Sequence, residues 1–152
     1  MSRWKILTKS IIAPIVGILS FNAFVAYKIG HSERRPVLLA LFVLGMNYLE
    51  ITFKSGDIKL KGWFILGDSN ATIVIAHGYG ENKAECLDYA EFLHKASYNL
   101  LLFDFRAHGE SEGNWTSNGY YESDDIIAAV NTLKRTFPLM WRKLECLAFQ
   151  WG

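Results

Sequence analysis

Two loops that follow apolar runs contain the residues best suited to chemistry. The first loop reads His77-Gly78-Tyr79-Gly80-Glu81-Asn82-Lys83 and precedes a helical pattern. Glycines let the backbone turn sharply and present N–H groups, which an anion or oxyanion site requires. A phosphate loop would need GxxxxGK followed by Ser or Thr, and this motif is absent. We therefore interpret this loop as a candidate anion or oxyanion site.

The second loop runs from Asp104 to Gly113 and places an acid, a guanidinium and an imidazole within five residues. Asp104, Arg106 and His108 could form a catalytic cluster or a structural hydrogen-bonded network. We favour the network, because alternating residues at a strand end point to opposite sides. Arg106 is also a natural partner for Asp104 or for backbone carbonyls.

No metal or cofactor is expected from the sequence. His77, His94 and His108 do not show HExxH or a comparable ligand spacing. Cys86 and Cys146 stand sixty positions apart and form neither a CxxC pair nor a disulfide framework. We interpret both cysteines as free, buried thiols.

The elements that carry these loops are recognisable from hydrophobic periodicity. Alternation from Leu49 to Phe53, the turn residues Ser55-Gly56-Asp57 and the extended run from Leu60 to Leu66 predict an antiparallel hairpin. Three nearly continuous apolar runs are typical of parallel strands that are covered on both faces. These runs are Ala71 to Ala76, Asn99 to Phe103 and Leu144 to Phe149.

Two helical patterns separate the three runs. The first begins near Asn82, whose position three residues before Glu85 predicts a capping box, and the second begins near Ser123 as candidate N-cap and ends before Pro138. The alternation of strands and helices predicts an α/β fold with right-handed βαβ connections. Ligands of such sheets bind beyond the carboxyl ends of the strands, where both loops lie.

Composition fits one compact domain and argues against disorder. The chain has 152 residues, of which 51% are hydrophobic, with 16 Lys and Arg against 15 Asp and Glu. Residues 1–35 hold six of the basic residues and one acidic residue, so the remainder has ten basic against fourteen acidic residues. Because the body is mildly acidic, nucleic acid is not expected as a partner.

The segment of residues 1–35 is predicted to be a membrane anchor with basic flanks. Ser10 to Tyr27 contains no charged residue, and as a helix it would be about 27 Å long, close to a hydrocarbon core of roughly 30 Å. A cleaved signal peptide is the alternative, but the small-x-small pattern near Ala23 and Ala26 is poor. We expect an uncleaved single span at the membrane, with residues 10–27 in lipid and no preferred orientation. Residues 36–47 are expected to be an apolar connector to a domain of residues 48–152.

The two loops also carry a resemblance to a known family. HGYGENK after one strand, FDFRAHGESEG after the next and GYYESDD at the start of a helix resemble the amino-terminal half of an α/β-hydrolase. The similarity covers Leu44 to Gly152. Within that fold, the chain is most similar to a membrane-anchored bacterial group related to the serine aminopeptidases of the S33 type.

The resemblance implies roles for particular residues. Tyr79, after His77-Gly78 and before Gly80, would supply one N–H of the oxyanion hole, and Trp151 would supply the other. The DxRxHGxS stretch would be a structural turn, and His108 would not be the catalytic histidine. The residues of this turn are Asp104, Arg106, His108, Gly109 and Ser111.

The resemblance also exposes a departure at the expected nucleophile. In this fold the third parallel strand ends in a G-x-S-x-G elbow, and here the matching residues are Ala148-Phe149-Gln150-Trp151-Gly152. An amide at Gln150 cannot be activated to attack a carbonyl. The acid and histidine that follow the serine in family order have no counterpart in these 152 residues. The resemblance thus implies a serine hydrolase, and the residues predict a truncated and inactive form of it.

Two accounts of this ending stay open. The chain is either the product of a gene broken at the elbow or a short protein that kept part of the sheet for binding. In the second account it is a membrane-anchored pseudoenzyme or interaction module, and a protein partner pairs with its open sheet edge. We prefer the first account, because an open sheet that ends at its central strand leaves an apolar edge.

Overall fold

The structure, a computed structural model, describes residues 3–31, 33–37, 45–138 and 143–148. The helices are α1 (Arg3–Gly30), α2 (Leu87–Lys95) and α3 (Glu122–Thr136), and a 3-10 turn (Lys83–Cys86) precedes α2. The strands are β1 (Tyr48–Ser55), β2 (Ile58–Ile65), β3 (Ala71–Ala76), β4 (Asn99–Phe103) and β5 (Lys143–Ala148).

The described strands form one mixed sheet in the order β1-β2-β4-β3-β5. β1 and β2 are an antiparallel hairpin, β2 is antiparallel to β4, and β3 is parallel to both β4 and β5. The predicted hairpin followed by a parallel βαβαβ unit is confirmed. Gly56 makes the tight hairpin turn with a φ of +59°, in a region that glycine enters without steric cost.

Strands β3 and β4 are largely apolar because helices cover both of their faces. Ile73 and Ile75 on β3 face α2, where Ala90 is buried against them. Val74 and Ala76, the alternate residues of the same strand, lie in the second core with residues of α3 such as Leu133. This alternation on a strand with two covered faces explains the continuous apolar run in the sequence.

Both helix starts differ in detail from the prediction. Asn82 caps as expected, since its side-chain oxygen accepts a hydrogen bond from Ala84 N at 2.9 Å, but a 3-10 turn follows before α2 begins. The prediction of Ser123 as the N-cap of α3 is wrong. The helix begins at Glu122, and the Ser123 hydroxyl donates to the Tyr120 carbonyl at 2.6 Å.

The amino-terminal helix α1 projects away from the sheet. Its residues Ile11–Gly30 are long and apolar enough to cross a membrane by length and composition, and apart from Gly30 at the end they are not buried. Asn22 donates a side-chain N–H within the helix, to the Ile18 carbonyl at 2.8 Å. One of the two N–H groups of this amide is thus satisfied by the helix itself. Most of the predicted connector, residues 38–44, lies outside the described residues.

Candidate active site

The two chemistry-bearing loops lie side by side at the carboxyl edge of the sheet. β3 ends at Ala76 and β4 ends at Phe103, and these two residues are partners in the parallel register. His77 and Asp104 therefore begin the two loops next to each other, and both side chains are buried. The structure thus brings the two predicted loops together, as adjacent parallel strand ends require.

Two histidines connect these loops in both directions. His77 Nε2 accepts a hydrogen bond from Phe105 N at 3.1 Å, and its Nδ1 contacts the Gly78 carbonyl at 2.7 Å. His108 Nε2 accepts from Gly80 N at 3.1 Å. Because each Nε2 is an acceptor, each ring is neutral and carries its proton on Nδ1. We call this reciprocal pair the histidine clasp.

Burial explains why the His77 ring stays neutral. Desolvation of the charged imidazolium lowers the pKa of His77 to about 4, although the hydrogen bond to the Gly78 carbonyl raises it, and the neighbouring His108 lowers it further. His108 Nδ1 is also engaged, with the Arg106 carbonyl at 2.8 Å. With both ring nitrogens of each histidine in use, neither ring offers a general base in this arrangement.

Asp104 is the centre of a buried network whose main partner is Lys83. The carboxylate accepts hydrogen bonds from Lys83 N at 2.7 Å, Lys83 Nζ at 2.6 Å and Glu110 N at 2.9 Å. Lys83 is only 1% exposed, and its ammonium also lies 4.7 Å from the centre of the Trp63 ring. Sequence reasoning missed this lysine, although a Lys in the first loop facing an Asp at the neighbouring strand end was the available signal.

The turn after Asp104 is shaped around its carboxylate. Gly109 has a φ of +44°, and a Cβ at this position would lie 2.4 Å from Asp104 Cγ. The Ser111 hydroxyl donates to the Asp104 carbonyl at 2.6 Å and accepts from Lys61 N at 2.9 Å. Only glycine fits at 109, and Ser111 connects the turn to β2.

The sequence predicts Asp104 or backbone carbonyls as partners of Arg106, and this prediction is wrong, because Arg106 pairs with Asp125 on α3. The distances are 2.6 Å from Nη2 to Oδ1 and 3.0 Å from Nε to Oδ2, and Arg106 N donates to the same carboxylate at 3.1 Å. Asp125 is fully buried. The bidentate geometry matches the planar guanidinium to the carboxylate and fixes the second loop to the start of α3.

Glu122 organises the loop that leads into α3. Burial raises the pKa of Glu122, but hydrogen bonds from the Ser117 hydroxyl and N–H, from Gly119 N and from the Thr116 hydroxyl outweigh this and bring the pKa to about 2. The four distances lie between 2.6 and 2.9 Å. The carboxylate is ionised at neutral pH and holds residues 116–119 in place. This contact also explains why Ser123 is not the cap.

The predicted oxyanion residue Tyr79 lies in a loop whose neighbouring N–H groups are fixed. Gly78 N donates to the Glu81 carboxylate at 3.2 Å, and Gly80 N donates to His108. The Tyr79 hydroxyl donates to the Ile29 carbonyl at 2.6 Å. The loop is therefore held from both sides, as a preorganised oxyanion site requires.

The carboxyl end of α1 and the segment after it bind directly to these loops. We define residues 29–31 and 33–36 as the junction segment. The Arg34 guanidinium donates to the carbonyls of Gly109 at 3.2 Å, Ser111 at 2.5 Å and Gly113. The Asn82 side-chain amide donates to the Arg35 carbonyl at 3.2 Å. Sequence reasoning did not anticipate these contacts.

Gly30 is the tightest point of the junction segment. A Cβ on Gly30 would lie 2.2 Å from the Trp115 ring, and the Gly30 carbonyl accepts from Thr116 N at 2.9 Å. The His31 ring contacts Trp115 edge to face, with 4.9 Å between centroids. The helix end is thus packed beneath one aromatic side chain of the domain.

Two of the predicted site residues, Gln150 and Trp151, lie outside the described residues. The last described strand, β5, ends at Ala148, which is the register partner of Ala76. Strand β5 therefore ends at the edge of the sheet from which the His77 loop begins. Among the described residues, no group of three or more His, Cys, Asp or Glu side chains is placed to hold a metal ion.

Comparison with known proteins identifies the fold. No family model matches the chain. The structure of the Pyrococcus furiosus esterase Pf2001 superposes with a TM-score of 0.75 and 32% sequence identity, over 80% of this chain and 48% of the esterase. This sheet is part of an α/β-hydrolase fold. In α/β-hydrolases the strand that matches β5 leads into the nucleophile elbow.

Curated relatives match over shorter stretches. The uncharacterised protein YqkD of Bacillus subtilis is 38% identical over 76 residues, which are 49% of this chain and 25% of YqkD. The thiohydrolase aneE of Aspergillus aculeatus is 41% identical over 70 residues, 44% of this chain and 22% of aneE. The chain thus spans about a quarter of the length of these relatives.

Proposed function

We propose that the chain derives its site from serine hydrolases that transfer an acyl group to a serine, and that the chain of residues 1–152 does not itself catalyse this reaction. The supporting observation is the placement of the loops after β3 and β4 beside the end of β5, in a fold shared with an esterase. Gln150 occupies the position at which α/β-hydrolases carry the serine.

Ester hydrolysis is the reaction class that we propose for the ancestral site. The esterase Pf2001 and the thiohydrolase aneE both carry names for cleavage of acyl bonds to oxygen or sulfur. Amide and peptide bonds are the other bonds that the same acyl chemistry cleaves, and the proposed similarity to the S33 aminopeptidase group favours these. The Tyr79 loop would stabilise the oxyanion in every case.

The test is labelling of the purified, detergent-solubilised chain with a fluorophosphonate probe, with a complete hydrolase of this fold as positive control. We expect no labelling of residues 1–152. The variant Gln150→Ser is also expected to stay unlabelled, because His77 and His108, the histidines of the two loops, have both ring nitrogens engaged and neither is available to activate a serine. Stoichiometric labelling of either chain would refute the proposal.

We also propose that α1 anchors the chain in a membrane as a single, uncleaved span through residues 10–27. The support is the 20-residue apolar window at Ile11–Gly30, whose length of about 30 Å matches a hydrocarbon core. Amino-terminal sequencing of the mature chain and carbonate extraction of membranes test this. A mature chain that begins after Ala23 or Ala26 would show a signal peptide instead.

An interaction module is a second candidate function, favoured by the position of β5. In the described sheet β5 pairs with β3 along one side and is the last strand in the order. A partner chain could add a strand there by main-chain hydrogen bonding. Cross-linking of the detergent-solubilised chain, followed by mass spectrometry, should then give products within residues 143–148, and their absence would contradict this function.

A further inference from the structure

The apolar surface of α1 continues to the point at which the helix meets the domain. The large apolar side chains between Ile11 and Phe24 are 50–66% exposed. The helix therefore contacts solvent or lipid, and not the sheet, along this length. The first firm contacts with the domain come at Ile29 and Gly30.

These contacts all lie at one edge of the sheet. Tyr79 follows β3, and the turn from Gly109 to Gly113 follows β4, so both partners of the junction segment belong to the carboxyl edge. The opposite, amino edge lies one strand length away. For the six residues of β3 this is about 20 Å.

The side chains around the junction segment are of the types that occupy a membrane–water interface. Trp115 packs over Gly30 and is 46% exposed, and Tyr27 in the last turn of α1 is 57% exposed. Both carry an apolar ring with a polar group, which favours the headgroup level. Lys28 and Arg35 are exposed beside them and complement the negative charge of anionic headgroups.

We propose that the carboxyl edge of the sheet faces the lipid surface, and that Trp115 and its loop, together with Tyr27, Lys28 and Arg35, form a lipid-contact surface that holds the candidate active site at headgroup level. The occupant of this surface is the bilayer that contains α1. The proposal rests on the membrane anchor proposed above, and it adds the orientation of the domain on that membrane.

The experiment uses two matched exposed asparagines at opposite edges of the sheet. Asn114 precedes Trp115, and Asn70 precedes β3 at the amino edge; both are exposed. Asn114→Cys and Asn70→Cys are made separately in the full chain with Cys146→Ala, while Cys86 is retained because it is buried. Each cysteine is labelled with an environment-sensitive fluorophore, and the parent without an added cysteine measures background labelling.

The labelled chains are reconstituted in vesicles of phosphatidylcholine and phosphatidylglycerol that contain headgroup nitroxide lipids, and insertion of α1 is measured by flotation. We expect severalfold stronger lipid quenching of the probe at 114 than of the probe at 70, with the reverse order for a water-soluble quencher. Flotation with both probes equally accessible to water would overturn the orientation and leave the anchor intact. Failure to float would overturn the anchor, and the lipid-contact surface with it.

Discussion

Acidification should destabilise the domain through His77. The unfolded chain has an ordinary histidine pKa of 6.5, whereas burial lowers the pKa of His77 in the folded chain to about 4. Between these values the unfolded state binds a proton that the folded state excludes, so stability falls as the pH falls from about 6.5 to about 4. One pH unit corresponds to about 1.4 kcal/mol, and the full difference is therefore about 3 kcal/mol.

The assay is urea unfolding of the detergent-solubilised chain, followed by near-ultraviolet circular dichroism at several pH values. The variant His77→Gln serves as the control, because its amide oxygen can still accept from Phe105 N but does not titrate. The wild-type chain should lose about 3 kcal/mol more than this variant across the acidic window. Other groups titrate in both proteins and cancel in the difference.

Two results would refute this reasoning. Equal pH dependence of the two proteins would show that His77 is not buried as a neutral acceptor in the folded state. A direct NMR titration of the His77 ring with a pKa near 6.5 would show the same, because the hydrogen bond from Phe105 N requires a deprotonated Nε2.

Three further predictions concern buried groups near the same loops. Lys83→Met should lower the free energy of unfolding in urea by about 3–5 kcal/mol, because it leaves the buried Asp104 carboxylate without its charged partner. Glu110→Gln should lower it by less than about 1 kcal/mol, because the Glu110 side chain is 57% exposed. Equal losses in the two variants would contradict the network. Gly109→Ala should lower the melting temperature clearly more than Gly56→Ala. Both positions have a positive φ, but only at 109 would the added Cβ lie against a carboxylate. Similar melting temperatures of the two variants would argue against that contact. Cys86, whose pKa burial raises to about 12, should resist iodoacetamide at pH 8 until the chain unfolds, and rapid alkylation of the folded chain, mapped by mass spectrometry, would disprove its burial.

The strands could be predicted from the sequence because the pattern of apolar and polar residues in a strand reflects which of its faces are buried. Ala71–Ala76 and Asn99–Phe103 match the predicted runs at both ends, since a strand covered on two faces is a nearly continuous apolar run. The helix boundaries were less accurate. The start of α3 depends on the contact of Glu122 with residues 116–119, and propensity at Ser123 alone does not reveal it.

The site was predicted at the level of loops and not of partners. The prediction that both loops lie at the same edge of the sheet was correct, because adjacent parallel strands end together. The predicted partners of Arg106, Asp104 or backbone carbonyls, were wrong, because its actual partner Asp125 lies 19 residues along the chain and meets Arg106 only through the packing of α3. The contacts of Arg34 with the turn span 75 to 79 residues, and no local pattern encodes such a pairing. The role assigned to Gln150 stays a prediction.

The packing of the junction segment bears on how the chain is made. The Ile29 carbonyl is synthesised 50 residues before the Tyr79 hydroxyl that binds it, which at roughly 5–20 residues per second is an interval of about 3 to 10 s. During that interval a nascent chain with the proposed anchor has an inserted helix and no domain for it to dock against. With the proposed anchor, the helix therefore enters the membrane first, and the hydrolase-like sheet folds afterwards while it is held close to the membrane surface.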